Sequence, residues 1–460
     1  MASLQILNFR AQQYCHDHSA RLHGFCRGNG SSICCDKRLS VRVRSEKRGY
    51  NDSSSVCEDQ STGDKKNSNN NINNNKFKIL IAGGGIGGLV FALAAKRSGF
   101  DVTVFEKDLT AVRGEGRDRG PIQLLSSALG LLENIDRDIV REISEAGYVT
   151  GDRTNGLADG RTGNWFARFD FLTPALQKGI PVTQIICRME LQRLLLNAVG
   201  EDLVINNSKV VDFVNDPNKV TVLLENGEKY EGDLLIGADG LRSMPKYKIF
   251  IGRNQYFVAL DIGKGRMQWY AFAKEARDSP TPSAGNKNKL LDKLGDWCEE
   301  VITIILNTEE HMIIRRPIDD IDMLSTWGKG RVVLLGDAAH AMLPNLGQGG
   351  SMAIEDCYWL MVELRNLAER NPFSAISSDA LAQAFRRFEK KRMFRVGTVH
   401  SICRIASVLT SVYQTYFNIG PLPIFNLSAL KVKHPSLVIS STLLRFVLPK
   451  FMDWVVVGQE

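Results

Sequence analysis

The chain has 460 residues, 43% hydrophobic and 24% charged, a globular composition that excludes a disordered or fibrous protein. Its formal net charge is +7, of which residues 1–75 carry +4 (11 Lys/Arg against 7 Asp/Glu), so the remaining body is nearly neutral at +3 and gives nucleic-acid binding no electrostatic support. Of nine cysteines, five precede residue 60; Cys187, Cys298, Cys357 and Cys403 are widely spaced in the body, match no metal-ligand spacing and are expected to be free thiols.

Residues 1–50 carry Arg10, Arg21, Arg27, Arg38, Arg42, Arg44 and Arg48, few acids, and no apolar run of the kind a secretory signal needs. That composition reads as an organelle transit peptide, with an ordinary polar tail as the competing reading. Seven Asn in residues 67–75 cannot contribute to a core and read as a linker or cleavage region, so 1–75 is taken as transit peptide and Asn-rich linker. Folded structure is expected from Lys76. Phe77–Ala82 is an apolar run of parallel-strand type, Ile86–Ser98 a small-residue helix closed by Gly99, and Val102–Phe105 a second strand. This is the size of a nucleotide-binding β-α-β unit. Met189–Val199 follows as a helix. Val210–Val214, Lys219–Leu224 and Asp233–Ile236 follow as strands, with Asn226-Gly227 as the hairpin turn between the last two. Gln255–Leu260 and Met267–Ala273 read as an antiparallel pair, Val332–Leu335 as a buried strand, Ser351–Asn366 as a helix, and the rest as mainly helical.

Three motifs carry chemistry. At the first strand-to-helix turn, Gly83 permits the tight turn, Gly85 lets bare backbone approach a pyrophosphate, and Gly88 allows close helix–strand packing. The helix start supplies N–H donors and the positive dipole end, and Glu106 closes the second strand, where a carboxylate can accept bonds from ribose hydroxyls. Taken alone, this pattern does not distinguish FAD from NAD. The second motif is Gly232–Ser243, a strand running into Asp239-Gly240. The third runs from Arg331 through Gly336-Asp337 and His340 to Pro344 and Gly347-Gln348-Gly349-Gly350.

In this order and rough spacing the three motifs resemble the single-component (class A) flavoprotein monooxygenases. The stretches Ile81–Glu106, Gly114–Gln123, Pro181–Glu201, Gly232–Gly240, Gln255–Phe272, Trp327–Asp356 and His434–Gly458 are similar to the zeaxanthin epoxidase family of plant chloroplasts, so the resemblance spans nearly all of 76–460. It implies an α/β chain with a Rossmann-like FAD-binding fold of the p-hydroxybenzoate hydroxylase type, a smaller antiparallel-sheet substrate domain and C-terminal helices. The implied FAD-binding domain is discontinuous (76–155, 184–245 and 325–366), the substrate domain covers 156–183 and 246–324, and 367–460 is the C-terminal helical region. Asp337 would accept bonds from the ribityl hydroxyls of FAD, Gly347–Gly350 would pass close to the flavin ring, and the helix from Ser351 would aim its positive end at the ring's pyrimidine edge. Asp239-Gly240 would meet the pyrophosphate side and NAD(P)H, and Arg188 the FAD phosphates.

The implied activity is epoxidation of carotenoid β-rings, zeaxanthin to antheraxanthin to violaxanthin, which supplies abscisic acid precursors and the xanthophyll cycle. It uses O2 and electrons from NADPH or reduced ferredoxin. The implied location is the plastid, peripheral on a membrane. No side-chain nucleophile is needed, so no catalytic triad and no metal are assigned, and His340 is read as a packing or capping residue. Two departures stand out. After Ser243 a few tens of residues of the family's substrate sheet are missing, including a central strand, which is expected to leave sheet edges exposed. The family also continues into a forkhead-associated domain, whereas this chain stops at Glu460. Leu437–Val457 is apolar but interrupted by Arg445, Pro449, Lys450 and Asp453. It reads as a segment lying on a membrane surface or as a helix packed on the FAD domain. Another flavin monooxygenase or reductase, and an inactive FAD or carotenoid binder, remain as alternative functions.

Overall fold

A computed structural model describes residues 4–11, 76–110, 121–150, 154–238, 248–261, 267–274, 285–318, 320–370, 376–412, 416–419, 430–433 and 450–458. The strongest apolar runs form one six-stranded sheet in the order Gly328–Lys329, Val332–Leu334, Leu234–Gly237, Lys78–Ala82, Asp101–Phe105, Val204–Ile205. It is parallel except at its first pair. Ile79, Leu80 and Ile81 are fully buried in the centre, as a strand covered on both faces requires. The helix Ile86–Arg97 follows at once and is buried from Gly88 to Ala95. Its small residues let neighbours close in: an added side-chain carbon on Gly87 would lie 3.2 Å from Leu335 and 3.6 Å from Ala353.

A three-stranded antiparallel meander, Val210–Asn215, Val220–Leu224 and Lys229–Gly232, hangs from this sheet. Gly227, with φ +87°, sits in its second turn. Here the structure corrects the sequence reading. The return strand after Asn226-Gly227 is Lys229–Gly232, and Leu234–Gly237 leaves for the parallel sheet instead. The reason is burial: Lys229 and Glu231 face solvent, whereas Leu234, Leu235 and Ile236 are covered on both sides.

The second large sheet has seven strands, in the order Ile314–Ile318, Leu4–Ala11, Met267–Lys274, Gln255–Asp261, Lys248–Gly252, Asn155–Asp159, Trp165–Phe169. Its central strands alternate with period two. Phe257, Ala259, Trp269 and Ala271 face the helices Asn286–Leu294 and Glu299–Leu306, packing on Leu290, Leu294, Val301 and Ile305. Tyr256, Val258, Leu260, Tyr270 and Phe272 form the opposite buried face. Trp297 lies against bare glycine backbone, since an added side-chain carbon on Gly160 or Gly252 would come within 2.7 Å or 2.4 Å of its ring. Phe257 stacks on Trp269 at 4.8 Å, and Trp269 donates its indole N–H to Thr308 Oγ1 at 3.0 Å.

Among the described residues, the edges of Met267–Lys274 and Ile314–Ile318 that face each other are both paired. Leu4–Ala11 pairs antiparallel with Met267–Lys274 on one side and with Ile314–Ile318 on the other. Unpaired edge N–H and C=O groups accept any strand of matching register, and here the N-terminus supplies it.

The C-terminal region is led by the long helix Ser378–Val412, followed by a small ribbon, Tyr416–Ile419 with Leu430–Lys433. Residues 450–457 form a helix that buries Met452, Val455 and Val456 against Leu125, Phe171, Val399 and Cys403, so this end of the apolar C-terminal stretch is packed on the protein. Residues 437–449 lie outside the described residues, as do 12–75, which hold most of the expected transit peptide and linker. No described helix is long and apolar enough to cross a membrane.

Deleting residues 1–11 is expected to open both flanks of that strand slot. Thermal unfolding by circular dichroism should drop by several degrees and light scattering should show association. An unchanged melting temperature in a monodisperse protein would contradict the pairing.

Candidate functional site

Three strands of the parallel sheet end at one level. Ala82 pairs with Gly237 and with Phe105, and Gly237 pairs with Leu334. Backbone bonds then hold the turns beyond: Gly83 N–H donates to Phe105 O at 2.9 Å, Ala238 N–H to Ala82 O at 2.9 Å, and Leu335 N–H to Gly237 O at 3.1 Å. The crevice beyond the carboxyl ends of parallel strands is where such sheets take ligands.

The glycines at the first turn are dictated by contact. Gly83 has φ +104°, and an added side-chain carbon on Gly88 would fall 1.9 Å from Gly83 O. Gly85 is open by comparison, its nearest neighbour being Ala238 O at 4.0 Å. Glu106 turns toward this loop and accepts Gly84 N–H at 2.6 Å through Oε2 and Asp108 N–H at 3.0 Å through Oε1. A carboxylate has about four lone-pair sites, so acceptor capacity remains.

At the third motif, Gly336 adopts φ +58°, with Ala353 Cβ 3.0 Å from where a side-chain carbon would be. The single-turn helix Asp337–His340 starts here. Asp337 is half-buried. Desolvation pushes its carboxyl up to about 6, opposed by His340 and Arg188. Arg188 opens the helix Arg188–Val199, and its charge reaches both Asp337 and Tyr270 of the second sheet. It therefore stands where the two sheets face each other. Burial raises the Tyr270 phenol, and Arg188 opposes that shift.

Gly347 (φ +63°) ends a short turn from Pro344, and the helix Gly349–Arg370 begins immediately. It starts two residues before the expected Ser351, so Gly349 and Gly350 are its first turn. Ser351 Oγ accepts Leu125 N–H at 3.4 Å, tying the strand Pro121–Leu124 to this helix start. Several buried polar atoms have no hydrogen-bond partner among the described residues, among them Gln123 Nε2, Tyr270 OH, Gln348 Oε1 and His340 Nδ1. Buried groups of this kind are rare unless something else satisfies them.

The structure thus brings together Gly83, Gly85, Gly88, Glu106, Gly336 and Asp337 at one end of the sheet, with Arg188, Pro344, Gly347, Gln348, Gly349 and Gly350 around its rim. Asp239 and Gly240 lie outside the described residues. His340 packs against Trp327 with ring centroids 5.0 Å apart, in keeping with its reading as a packing residue, and it also makes a polar contact the sequence did not point to. It is fully buried, and its Nε2 meets Asp356 Oδ2 at 2.7 Å. Asp356 Oδ2 also accepts Gly336 N–H at 2.9 Å, and its Oδ1 accepts Arg392 Nε at 2.7 Å. Glu355 takes Arg392 at 2.6 Å and Arg395 at 2.7 Å. None of these four partners was singled out from the sequence. The available signal was Glu355-Asp356 amid Met352, Ala353, Ile354 and Cys357: two acids on an otherwise buried helix face require buried cations. Among the described residues no cluster of His, Cys, Asp or Glu could hold a metal ion.

Comparison with known proteins supplies context. Residues 308–371 match a family model described as an FAD binding domain, and residues 81–111 match an NAD(P)-binding Rossmann-like domain. The chloroplastic zeaxanthin epoxidase of Oryza sativa subsp. japonica is 45% identical over 415 residues, covering 83% of this chain and 63% of the rice protein. That of Spinacia oleracea is 46% identical over 417 residues, covering 84% and 62%. The chain therefore spans just over three fifths of the length of these relatives. Among solved structures, a salicylate hydroxylase substrate complex aligns with TM-score 0.64 at 18% identity, covering 84% of this chain and 96% of that one. HpxO of Klebsiella pneumoniae, complexed with FAD and uric acid, aligns with TM-score 0.61 at 24% identity, covering 74% and 90%. Strand order, converging turns and sequence agree: the chain has the fold of the FAD-dependent monooxygenases and is a relative of the chloroplastic zeaxanthin epoxidases.

Proposed function

We propose that this chain binds FAD at the converging turns and epoxidises carotenoid β-rings, converting zeaxanthin to antheraxanthin and violaxanthin. The observation that carries the reading is a set of orphaned buried polar atoms on the strand Pro121–Leu124, on the second sheet and just before the Gly349–Arg370 helix. Gln123 Nε2 offers a donor, Gln348 Oε1 an acceptor and Tyr270 OH both. A flavin presents donors and acceptors along one edge of its ring and hydroxyls along its ribityl chain, so it fits that complement. The zeaxanthin epoxidases at about 45% identity support the substrate class.

In this reading Gly83, Gly85 and Gly88 admit the pyrophosphate to the helix start, and Glu106 accepts a ribose hydroxyl. Arg188 and Asp239-Gly240 complete the phosphate side. Asp337, backed by Gly336, accepts ribityl hydroxyls. Pro344 and Gly347–Gly350 let bare backbone meet the ring, and the Gly349–Arg370 helix start favours negative charge there. When bound and reduced, the flavin supplies an electrophilic oxygen atom derived from O2 to the ring alkene, its electrons coming from NADPH or reduced ferredoxin. The protein positions the alkene and excludes water. The sheet face of Tyr256, Val258, Leu260, Tyr270 and Phe272 is the candidate wall for an apolar carotenoid end-group. Residues 76–155, 184–245 and 325–366 form the FAD-binding domain, 156–183 and 246–324 the substrate domain, and 367–460 the C-terminal region. The Arg-rich leader directs the chain to the plastid, where the product supplies abscisic acid precursors and the xanthophyll cycle. Peripheral membrane attachment brings the enzyme to its lipid-dissolved substrate.

One observation favours a second reading, an FAD or carotenoid binder without turnover. Leu4–Ala11 lies inside the leader yet fills the substrate sheet. Import cleavage would remove that strand and open the chamber.

The test is pigment chromatography of full-length chain and of chain starting at Lys76, incubated with FAD, lipid-dispersed zeaxanthin, reductant and O2. Antheraxanthin from either form supports the epoxidase. FAD binding with no epoxide from both forms would replace it with the binder.

Asp337 gives an independent prediction. In the folded apoprotein its carboxyl holds a proton up to about pH 6, against 3.8 ordinarily. The folded state therefore binds this proton more tightly, and the associated stability, up to about 3 kcal/mol, is present at low pH and lost as pH rises through that window. Asp337→Asn should raise the melting temperature of the apoprotein at pH 7.5, with the gain vanishing below pH 4. It should also weaken FAD binding by about 10- to 100-fold, the worth of a charged hydrogen bond. Fluorescence titration and pH-dependent melting check both, and a variant with unchanged FAD affinity would remove Asp337 from the site.

A further inference from the structure

We infer that Arg395 and Glu355 are positioning residues that latch the 450–457 helix to the turn carrying Asp337. The inference deepens the proposed function, because it rests on that turn belonging to the FAD site.

One unbroken line of buried polar contacts joins the two places. Asp356 Oδ2 holds the turn at both ends, taking Gly336 N–H at 2.9 Å and His340 Nε2 at 2.7 Å. Its other oxygen takes Arg392 Nε at 2.7 Å, and Arg392 shares Glu355 Oε2 with Arg395, at 2.6 Å and 2.7 Å. Ser127 Oγ donates to Glu355 Oε1 at 3.2 Å, beside Arg395 at 2.8 Å. Arg395 then donates to Trp454 O at 3.2 Å and Val455 O at 2.9 Å, with its guanidinium 4.8 Å from the Trp454 ring. The four charged side chains are at most 2% exposed.

Two carboxylates balance two guanidiniums in this line, so no member can shift without leaving a buried charge uncompensated. The fork of Arg395 is divided between Glu355 and the carbonyls of the terminal helix. If that helix leaves, the guanidinium loses those acceptors and turns further onto Glu355. Arg392 then loses its share of Glu355, and its hold on Asp356 slackens. The Gly336–His340 turn hangs on that carboxylate. Docking of the 450–457 helix is thus coupled through side chains to how firmly Asp337 is presented, although the helix itself contributes none of the cofactor contacts proposed above.

Amide hydrogen exchange by mass spectrometry on the full-length apoprotein, compared with Arg395→Met, Val456→Asp and the double variant, tests the latch. Peptides covering 336–340 should exchange at least about tenfold faster in each single variant, the double should be no faster than the faster single, and strand peptides at 79–82 should be unchanged. FAD titration of the same proteins should show about tenfold weaker binding in each single variant, again without multiplication in the double. Arg395→Lys is the gentler variant should Arg395→Met fail to fold, because one ammonium cannot reproduce the fork. Wild-type exchange at 336–340 in the Arg395 variants overturns the latch, as does multiplication in the double or equal acceleration at 79–82. Faster exchange at 336–340 in the variants, when the wild-type protein takes up no FAD, would keep the latch and overturn the cofactor reading.

Discussion

Asp356 is fully buried, and its two oxygens receive a backbone N–H, a histidine and an arginine. Burial alone would drive such a carboxyl toward the neutral form. His340 and Arg392 outweigh that and hold it below the ordinary carboxylate range. The same holds for Glu355, which burial would raise and Arg392 with Arg395 lower. Breaking a buried pair of this kind costs about 3–5 kcal/mol, a large part of the stability of a domain. The geometry of the Gly336-Asp337 turn is therefore set by a charge balance inside the helix pair Gly349–Arg370 and Ser378–Val412, and not by the turn itself.

Around that fixed turn, the remaining parts are placed by the parallel sheet. Register brings Ala82, Gly237 and Leu334 level, so Gly83, Ala238 and Leu335 leave the sheet at one edge. Close packing behind the crevice demands residues without side chains. Gly88 meets Gly83 O, Gly87 meets Leu335, and Cys357 Sγ donates to Gly87 O at 3.2 Å. Close helix–strand and helix–helix contacts thus coincide at the glycine turn that opens the Ile86–Arg97 helix.

The second sheet divides its labour by strand alternation. One face stacks Phe257 on Trp269 and carries the helices, which gives the sheet its own core. The other keeps Tyr256, Tyr270 and Phe272 buried, with Tyr256 and Phe272 stacked at 4.1 Å. Arg188 is the charge between the two sheets, acting on Asp337 and Tyr270 alike. A site at that boundary can hold a polar cofactor on one wall and an apolar substrate on the other.

Much of this was legible in the chain itself. The β-α-β unit, the Gly83–Gly88 turn, the Gly336-Asp337 turn and the Gln255/Met267 strand pair follow from local patterns: apolar runs, period-two alternation, and glycines where backbone must turn or approach closely. Those signals depend on residues near in sequence, and so they survive without coordinates. What needed the tertiary structure depends on partners far apart. Leu4–Ala11 enters the second sheet over 250 residues from its neighbours, Leu234–Gly237 leaves the meander, and His340 finds Asp356 while Arg395 finds the terminal helix. Composition cannot announce such pairings, because a strand edge or a buried charge specifies only the kind of partner it requires, and the folded chain decides which residue that is.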